Sequence, residues 1–197
     1  MLSASVDGWF TLPLTVPNYL AGFVGKPVLP LDAPEVSAAI ERVQKRTDAL
    51  LNCGGTHRPE WFHRKLGDIL YEGCGVARDE AGLLDALTKV RELREEFWRD
   101  VKVVGTGNRL NQELEKAGRV ADFIELGEVM ILDALDPRDS PRAHFRNETA
   151  TEAGEAKRND GDWCAVSAWE TRPDGTKVRH SEPLSFSLID LQVRDYR

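Results

Sequence analysis

The sequence predicts a mainly α fold: an antiparallel bundle of three to four helices with a small C-terminal antiparallel β hairpin or sheet. Three observations predict it. Apolar residues recur at helical spacing through residues 33–135, glycine and proline punctuate that stretch at intervals of a helix length, and the apolar period switches to alternation after residue 162. With 197 residues, 41% of them hydrophobic, the chain suits one domain with an extension and has apolar mass enough for a core.

Residues 1–31 come first and look unlike the rest. Trp9, Phe10, Leu12, Leu14, Val16, Tyr19, Leu20, Phe23 and Val24 are interleaved with Pro13, Pro17, Pro27 and Pro30. Proline at that density predicts extended or turning backbone, and a greasy irregular segment needs another surface to lie against. The first predicted helix runs from about Ala33 to Leu51, with Asp32 as a cap, Glu35 completing a capping box and Gly54-Gly55 as the stop. Its stripe is Val36, Ile40, Val43, Leu50 and Leu51. The second opens at Pro59, a favoured first position, carries Trp61, Phe62, Leu66, Ile69 and Leu70, and closes at Gly73 and Gly75. The third follows Asp79 as N-cap, with Leu83, Leu84, Leu87, Val90, Leu93 and Phe97 in a stripe. The fourth shows Leu110, Leu114, Ala117, Ala121, Ile124, Ile131 and Leu135, broken around Glu128, with Asn108 or Asn111 as cap. Short connections predict antiparallel neighbours.

Residues 138–162 are polar and read as a long surface segment. Trp163–Trp169 predicts a strand, Arg172-Pro173-Asp174-Gly175 a turn, and Val178–His180 a returning strand. Leu184, Phe186 and Leu188 alternate with serines and predict a third strand. The organisation expected is therefore residues 1–31, an apolar segment; 32–137, the bundle; and 138–197, a polar loop with a β-rich tail.

Composition excludes several function classes. A net charge of −7 argues against nucleic acid or an anionic membrane surface as direct partner. Three cysteines, Cys53, Cys74 and Cys164, stand far apart without a CxxC pair, which argues against a metal centre and fits a reducing cytoplasm. The first eight residues lack the basic and apolar regions of a signal peptide, and no run approaches a membrane span, so any membrane link passes through another protein. Gly105-Thr106-Gly107-Asn108 lacks the third glycine and the Lys-Ser/Thr of a phosphate loop and reads as a helix connection. His57, His63 and His180 read as surface or helix-end histidines, and Glu95-Glu96 and Glu125 with Glu128 as solvated faces. No catalytic residue and no metal ligand is assigned. His144 stands apart, because Arg142 and Arg146 flank it and the trio suits an anion or carboxylates across an interface.

Several stretches resemble one family, the flavoprotein subunits of succinate dehydrogenase and fumarate reductase. LSASVDGWFTLPLTVPNYL (residues 2–20) is similar to the segment after their last flavin-contacting motif. FHRKLGDILYEGCGVAR (62–78) and NQELEKAGRVADFIELGEVMILDAL (111–135) resemble two helices of their C-terminal domain. DSPRAHFR (139–146) lines up with a Glu-Ser-Arg-Gly-Ala-His or Glu-Ser-Cys-Gly-Gly-His-Phe-Arg pattern, and EAKRNDGDWCAVSAWE (155–170) resembles the tail of the branch found with diheme cytochrome b anchors. At Pro141-Arg142 the family has Arg-Gly or Cys-Gly, so the local turn differs here.

The resemblance implies FAD bound by an N-terminal portion that would precede Met1, together with the catalytic groups and a capping domain. It implies an iron–sulfur subunit and, indirectly, a cytochrome b anchor as partners. It places the chain at the cytoplasmic face of the inner membrane, in succinate–fumarate interconversion with quinone. Leu2 and Ser3 fall nearest the flavin-contacting motif, and Arg142, His144 and Arg146 are candidates for contact with another domain or subunit. Two other readings stand beside it: a non-catalytic helical interaction module, and the same domain of an L-aspartate oxidase-like flavoenzyme, against which the 155–170 tail speaks.

Overall fold

A computed structural model describes residues 5–141, 144–188 and 191–192. It forms two compact units, residues 1–44 and 45–197.

In the first unit a π-helical stretch, Asp7–Thr11, runs directly into helix α1, Leu12–Ala21. Over residues 7–21 this corrects the expectation of extended or turning backbone, while residues 22–31 turn and extend as expected. Pro13 stands just after the π-helical turn, inside a continuous helical run, and has no N–H to give the carbonyls of that turn. Pro17 lies inside the helix and removes one hydrogen bond without ending it. Every residue from 5 to 31 is exposed. Helix α2, Pro34–Asn52, begins in this unit. Its expected stripe is buried only near its end: Leu50 is buried, while Ile40 and Val43 are exposed.

The second unit is built on three helices: α3 (Pro59–Gly73), α4 (Glu80–Asp100) and α5 (Gln112–Leu135). Residue pairs give their directions. Lys65 meets Glu96 while Gly73 abuts Ala86, so α3 and α4 are antiparallel. Arg94 meets Glu125 while Arg91 meets Glu128, so α4 and α5 are antiparallel. Lys116 meets Glu60 while Gly127 lies on Leu66 and Leu70, so α3 and α5 run parallel. The result is the antiparallel bundle expected.

Two of the expected caps form. Asp79 accepts from Gly82 N at 2.8 Å, and Asn111 accepts from Glu113 N and Leu114 N. Phe62, Leu83, Val90, Leu93, Phe97, Ile124 and Ile131 fill the core. Phe62 and Phe97 meet edge to face at 5.2 Å, a preferred geometry for aromatic quadrupoles. Each such side chain contributes about 2–3 kcal/mol by burial.

The 138–162 segment is not merely a surface loop. β2 (Phe145–Arg146) pairs in parallel with β1 (Ala77–Arg78), and Asp139, Ser140 and Arg146 are buried. These polar side chains can be inside because each has a hydrogen-bond partner there. A four-residue helix α6, Asp160–Trp163, takes up Trp163, so the hairpin begins later than expected: β3 (Ala165–Thr171) pairs with β4 (Lys177–Pro183) in one antiparallel register. Leu184–Leu188 is no strand. Its first amide donates instead to the Cys164 carbonyl at 2.9 Å. The hairpin is pinned to α5 by Trp169 Nε1 donating to Asp133 at 2.8 Å and by Arg179 paired with Asp136 at 2.9 Å.

Candidate functional site

Among the described residues of the second unit, three gatherings of polar side chains bear on how its helices are joined. The first lies where antiparallel packing brings the start of α4 beside the end of α5. Helix ends leave amides unpaired at one terminus and carbonyls at the other. Here the end of α5 offers the Ala134 and Leu135 carbonyls, and Arg146 Nη1 donates to them at 2.8 and 3.4 Å. The start of α4 offers amides: Gly82 N goes to Asp79, and Glu80 N donates to the Glu148 carboxylate. Arg146 Nε completes the cluster by donating to Glu148 at 2.8 Å. Its backbone N–H donates to Ser140 Oγ at 2.9 Å, and Asn159 N donates to Asp139 at 2.6 Å. Burial opposes the charge of Glu148, but the Glu80 amide and the Arg146 guanidinium outweigh it and hold its pKa below the ordinary glutamate value.

The second place is the α4–α5 seam. Glu128 occupies the stripe position where the apolar period of α5 is interrupted, and it is only 3% exposed. It therefore belongs to no solvated face, which corrects that expectation. Arg91 Nε donates to it at 2.7 Å and Arg94 Nη1 at 2.5 Å. Burial works against its charge, and these two arginines overcome it, leaving the pKa lowered. Glu125 extends the chain of charges to Lys177 of the hairpin at 3.0 Å. The sequence carried a signal for this: a carboxylate at a stripe position, with two arginines three apart on the preceding helix.

The third place is the corner before α3. Asp100 accepts from His57 Nδ1, from Thr56 N at 2.9 Å and from Thr56 Oγ at 2.8 Å. The His57 hydrogen bond, then the Thr56 donors, bring the Asp100 carboxyl down to about 2. The imidazole stacks on Trp61 at 4.1 Å. Gly55 passes so close that a Cβ would meet the Asp100 backbone at 2.0 Å. The histidine and aspartate thus fasten a loop to the end of α4. Thr56 Oγ1 lies 2.8 Å from both Asp100 carboxylate oxygens, so the trio holds structure.

The expected site residues fall apart in space. Leu2, Ser3 and Arg142 lie outside the described residues. His144 is exposed, and Arg146 is buried with its guanidinium engaged inside the chain. FAD does not fit the described residues. A dinucleotide pyrophosphate is held by a glycine-rich strand-to-helix turn and a free helix N-terminus. Among the described residues, the short strand that leads into a long helix, β1 into α4, has Asp79 and Glu148 carboxylates already at that N-terminus. No helix of the described residues is long and apolar enough to cross a membrane.

Comparison with known proteins gives this arrangement a family. The family model described as fumarate reductase flavoprotein C-term matches residues 63–196. The fumarate reductase flavoprotein subunit of Haemophilus influenzae is 25% identical over 111 residues, which cover 56% of this chain and 18% of that protein. The chain thus spans about a fifth of the length of the curated relatives it matches. The quinol fumarate reductase of E. coli superposes with a TM-score of 0.68 at 22% identity, covering 79% of this chain and 26% of that one. Adenylylsulfate reductase from Archaeoglobus fulgidus does so with 0.66 at 16% identity, covering 89% and 28%.

Proposed function

The chain belongs to the fumarate reductase flavoprotein C-terminal family, and from that premise we propose that it is the helical scaffold of a flavoprotein subunit that interconverts succinate and fumarate. On this proposal FAD and the catalytic groups sit in an FAD-binding portion of the subunit, and electrons pass to an iron–sulfur subunit and on to quinone. A cytochrome b anchor would hold the assembly at the cytoplasmic face of the membrane. Residues 1–31 would lie on the FAD-binding domain, with Leu2 and Ser3 nearest the flavin. Residues 32–137 would form the helical domain and residues 138–197 the tail. Contact with a neighbouring domain or subunit would fall on the loop of Arg142, His144 and Arg146. Of the two described residues, the Arg146 guanidinium is engaged internally and His144 is exposed.

The observation that carries the proposal is the exposed apolar surface of the first unit. Trp9, Phe10, Leu14, Tyr19 and Phe23 are each more than half exposed, on a segment that buries nothing. Apolar surface of that extent marks a face meant for another surface. The bundle fold alone does not choose the substrate, since an adenylylsulfate reductase shares it. The sequence match to fumarate reductase flavoproteins favours the dicarboxylate.

The test is to isolate the native polypeptide that carries this sequence, weigh it intact, and assay it. A flavin-coloured species about three times heavier, as whole FAD-binding and capping domains require, which reduces fumarate with a dye donor, supports the proposal. A colourless polypeptide of 22.0 kDa that neither binds a flavin-carrying partner nor supports fumarate reduction overturns it.

A further inference from the structure

Arg146 and Glu148 are two residues apart, ion-paired at 2.8 Å, and face two different helix ends. The positive member lies on the α5 carbonyls, where a helix carries partial negative charge. The negative member lies on the first α4 amide, where a helix carries partial positive charge. Each charge therefore meets the end of the dipole that complements it, and the pair is oriented as well as bonded. The backbone between and beside them is drawn in at the same points: Phe145 N donates to Val76 O at 2.7 Å, Arg146 N to Ser140 Oγ, and Thr149 Oγ1 to Arg146 O at 3.1 Å.

We propose that Arg146 and Glu148 act as one polarity-matched latch, which holds the Phe145–Thr149 strap across the carbonyl end of α5 and the amide end of α4 and releases it when Glu148 loses its charge. The inference concerns the strap itself and stands whether or not the functional proposal does. The groups facing Glu148 are few. From α4 come the Glu80 amide and the Glu80 carboxylate, which lies 3.9 Å from Arg146 and 3.5 Å from Arg138. From the α4 cap comes Asp79, which accepts from Asn147 at 3.4 Å. Among the described residues, Arg146 is the cation in direct contact. A neutral Glu148 would leave the Arg146 guanidinium with the α5 carbonyls alone, and the Glu80 amide with a weaker acceptor.

Amide hydrogen exchange on the full chain tests this. In Glu148→Gln, the amides of Glu80 and Phe145 are expected to exchange about ten- to a hundred-fold faster, the range for losing a charge-assisted hydrogen bond. Val90 and Leu93 in the core should keep wild-type protection and so report that the variant is folded. The double variant Arg146→Glu with Glu148→Arg decides between a latch and a plain ion pair. It restores the pair but reverses it against both dipoles, so exchange should stay fast. Wild-type protection in the double variant, or unchanged exchange in Glu148→Gln, overturns the proposal. The wild-type chain gives a second route. With intrinsic exchange corrected for pH, the Glu80 amide should lose protection in acid, below the ordinary glutamate range, in a step that Glu148→Gln lacks. A wild type without that step also overturns it.

Discussion

The bundle of α3, α4 and α5 and the segment from residue 5 to residue 31 are comparably greasy in sequence, yet they end in opposite states. In the bundle each helix turns its stripe on the other two, and Phe62, Leu83, Phe97 and Ile131 have no exposed surface. In the segment, Trp9 is 80% exposed and nothing is buried. Apolar content alone is thus no sign of a core. A core needs a facing stripe of matching period, which the bundle has three times over and the segment lacks within its own unit.

The largest effect that can break this contrast is Phe97→Ala. It should cost about 3–5 kcal/mol by lost burial and the cavity left behind, read by urea unfolding. A loss under about 1 kcal/mol would mean the bundle is not the self-sufficient part. Glu128→Ala comes next, at about 2–3 kcal/mol, less than the full cost of breaking a buried pair because Arg91 and Arg94 reach solvent. Measured ΔG should fall by more than in Glu125→Ala, whose carboxylate is half exposed.

Acid sharpens the same point. Glu128 and Glu148 have pKa values lowered from 4.5, and Asp100 from 3.8 to about 2. A carboxyl depressed in the folded state binds fewer protons there than when unfolded. Its stabilisation is complete above the unfolded value and drains away as pH falls through the folded one. Unfolding midpoints should therefore drop steadily from about pH 5 toward pH 2, and Glu128→Gln should flatten part of that slope.

Asp79→Ala removes one cap and should cost about 1 kcal/mol, seen in thermal melts. Smallest of all, Trp9→Ser with Leu14→Ser should shift stability by no more than about 0.5 kcal/mol while lowering the binding of an apolar dye. A loss of core size from that pair would erase the contrast between the two regions.

Much of the fold was legible because its signals are local. Pro59, Asp79 and Asn111 mark helix starts through their own backbone chemistry, and β3 and β4 are joined by a turn whose Gly175 takes a positive φ of 85°. Three errors share one cause. Proline count suggested a broken chain over residues 7–21, but Pro13 follows the π-helical turn, Pro17 lies inside α1, and the helix runs through both. Alternation suggested a strand at Leu184–Leu188, but alternation is only a capacity to pair, and no neighbouring strand edge takes it up. Charge suggested a solvated face at Glu128, but its carboxylate is buried against arginines more than ten residues away.

The sequence by itself determined the three bundle helices, the Asp79 and Asn111 caps and the apolar faces that pack there, because those depend on contacts within a turn or two of chain. It also carried enough ordered motif to point to the family. Tertiary structure alone decided which charges are inside. Whether Glu128 or Arg146 can be buried depends on an opposite charge or an unpaired carbonyl arriving from another helix, and that is settled only when α4 and α5 pack with their ends side by side.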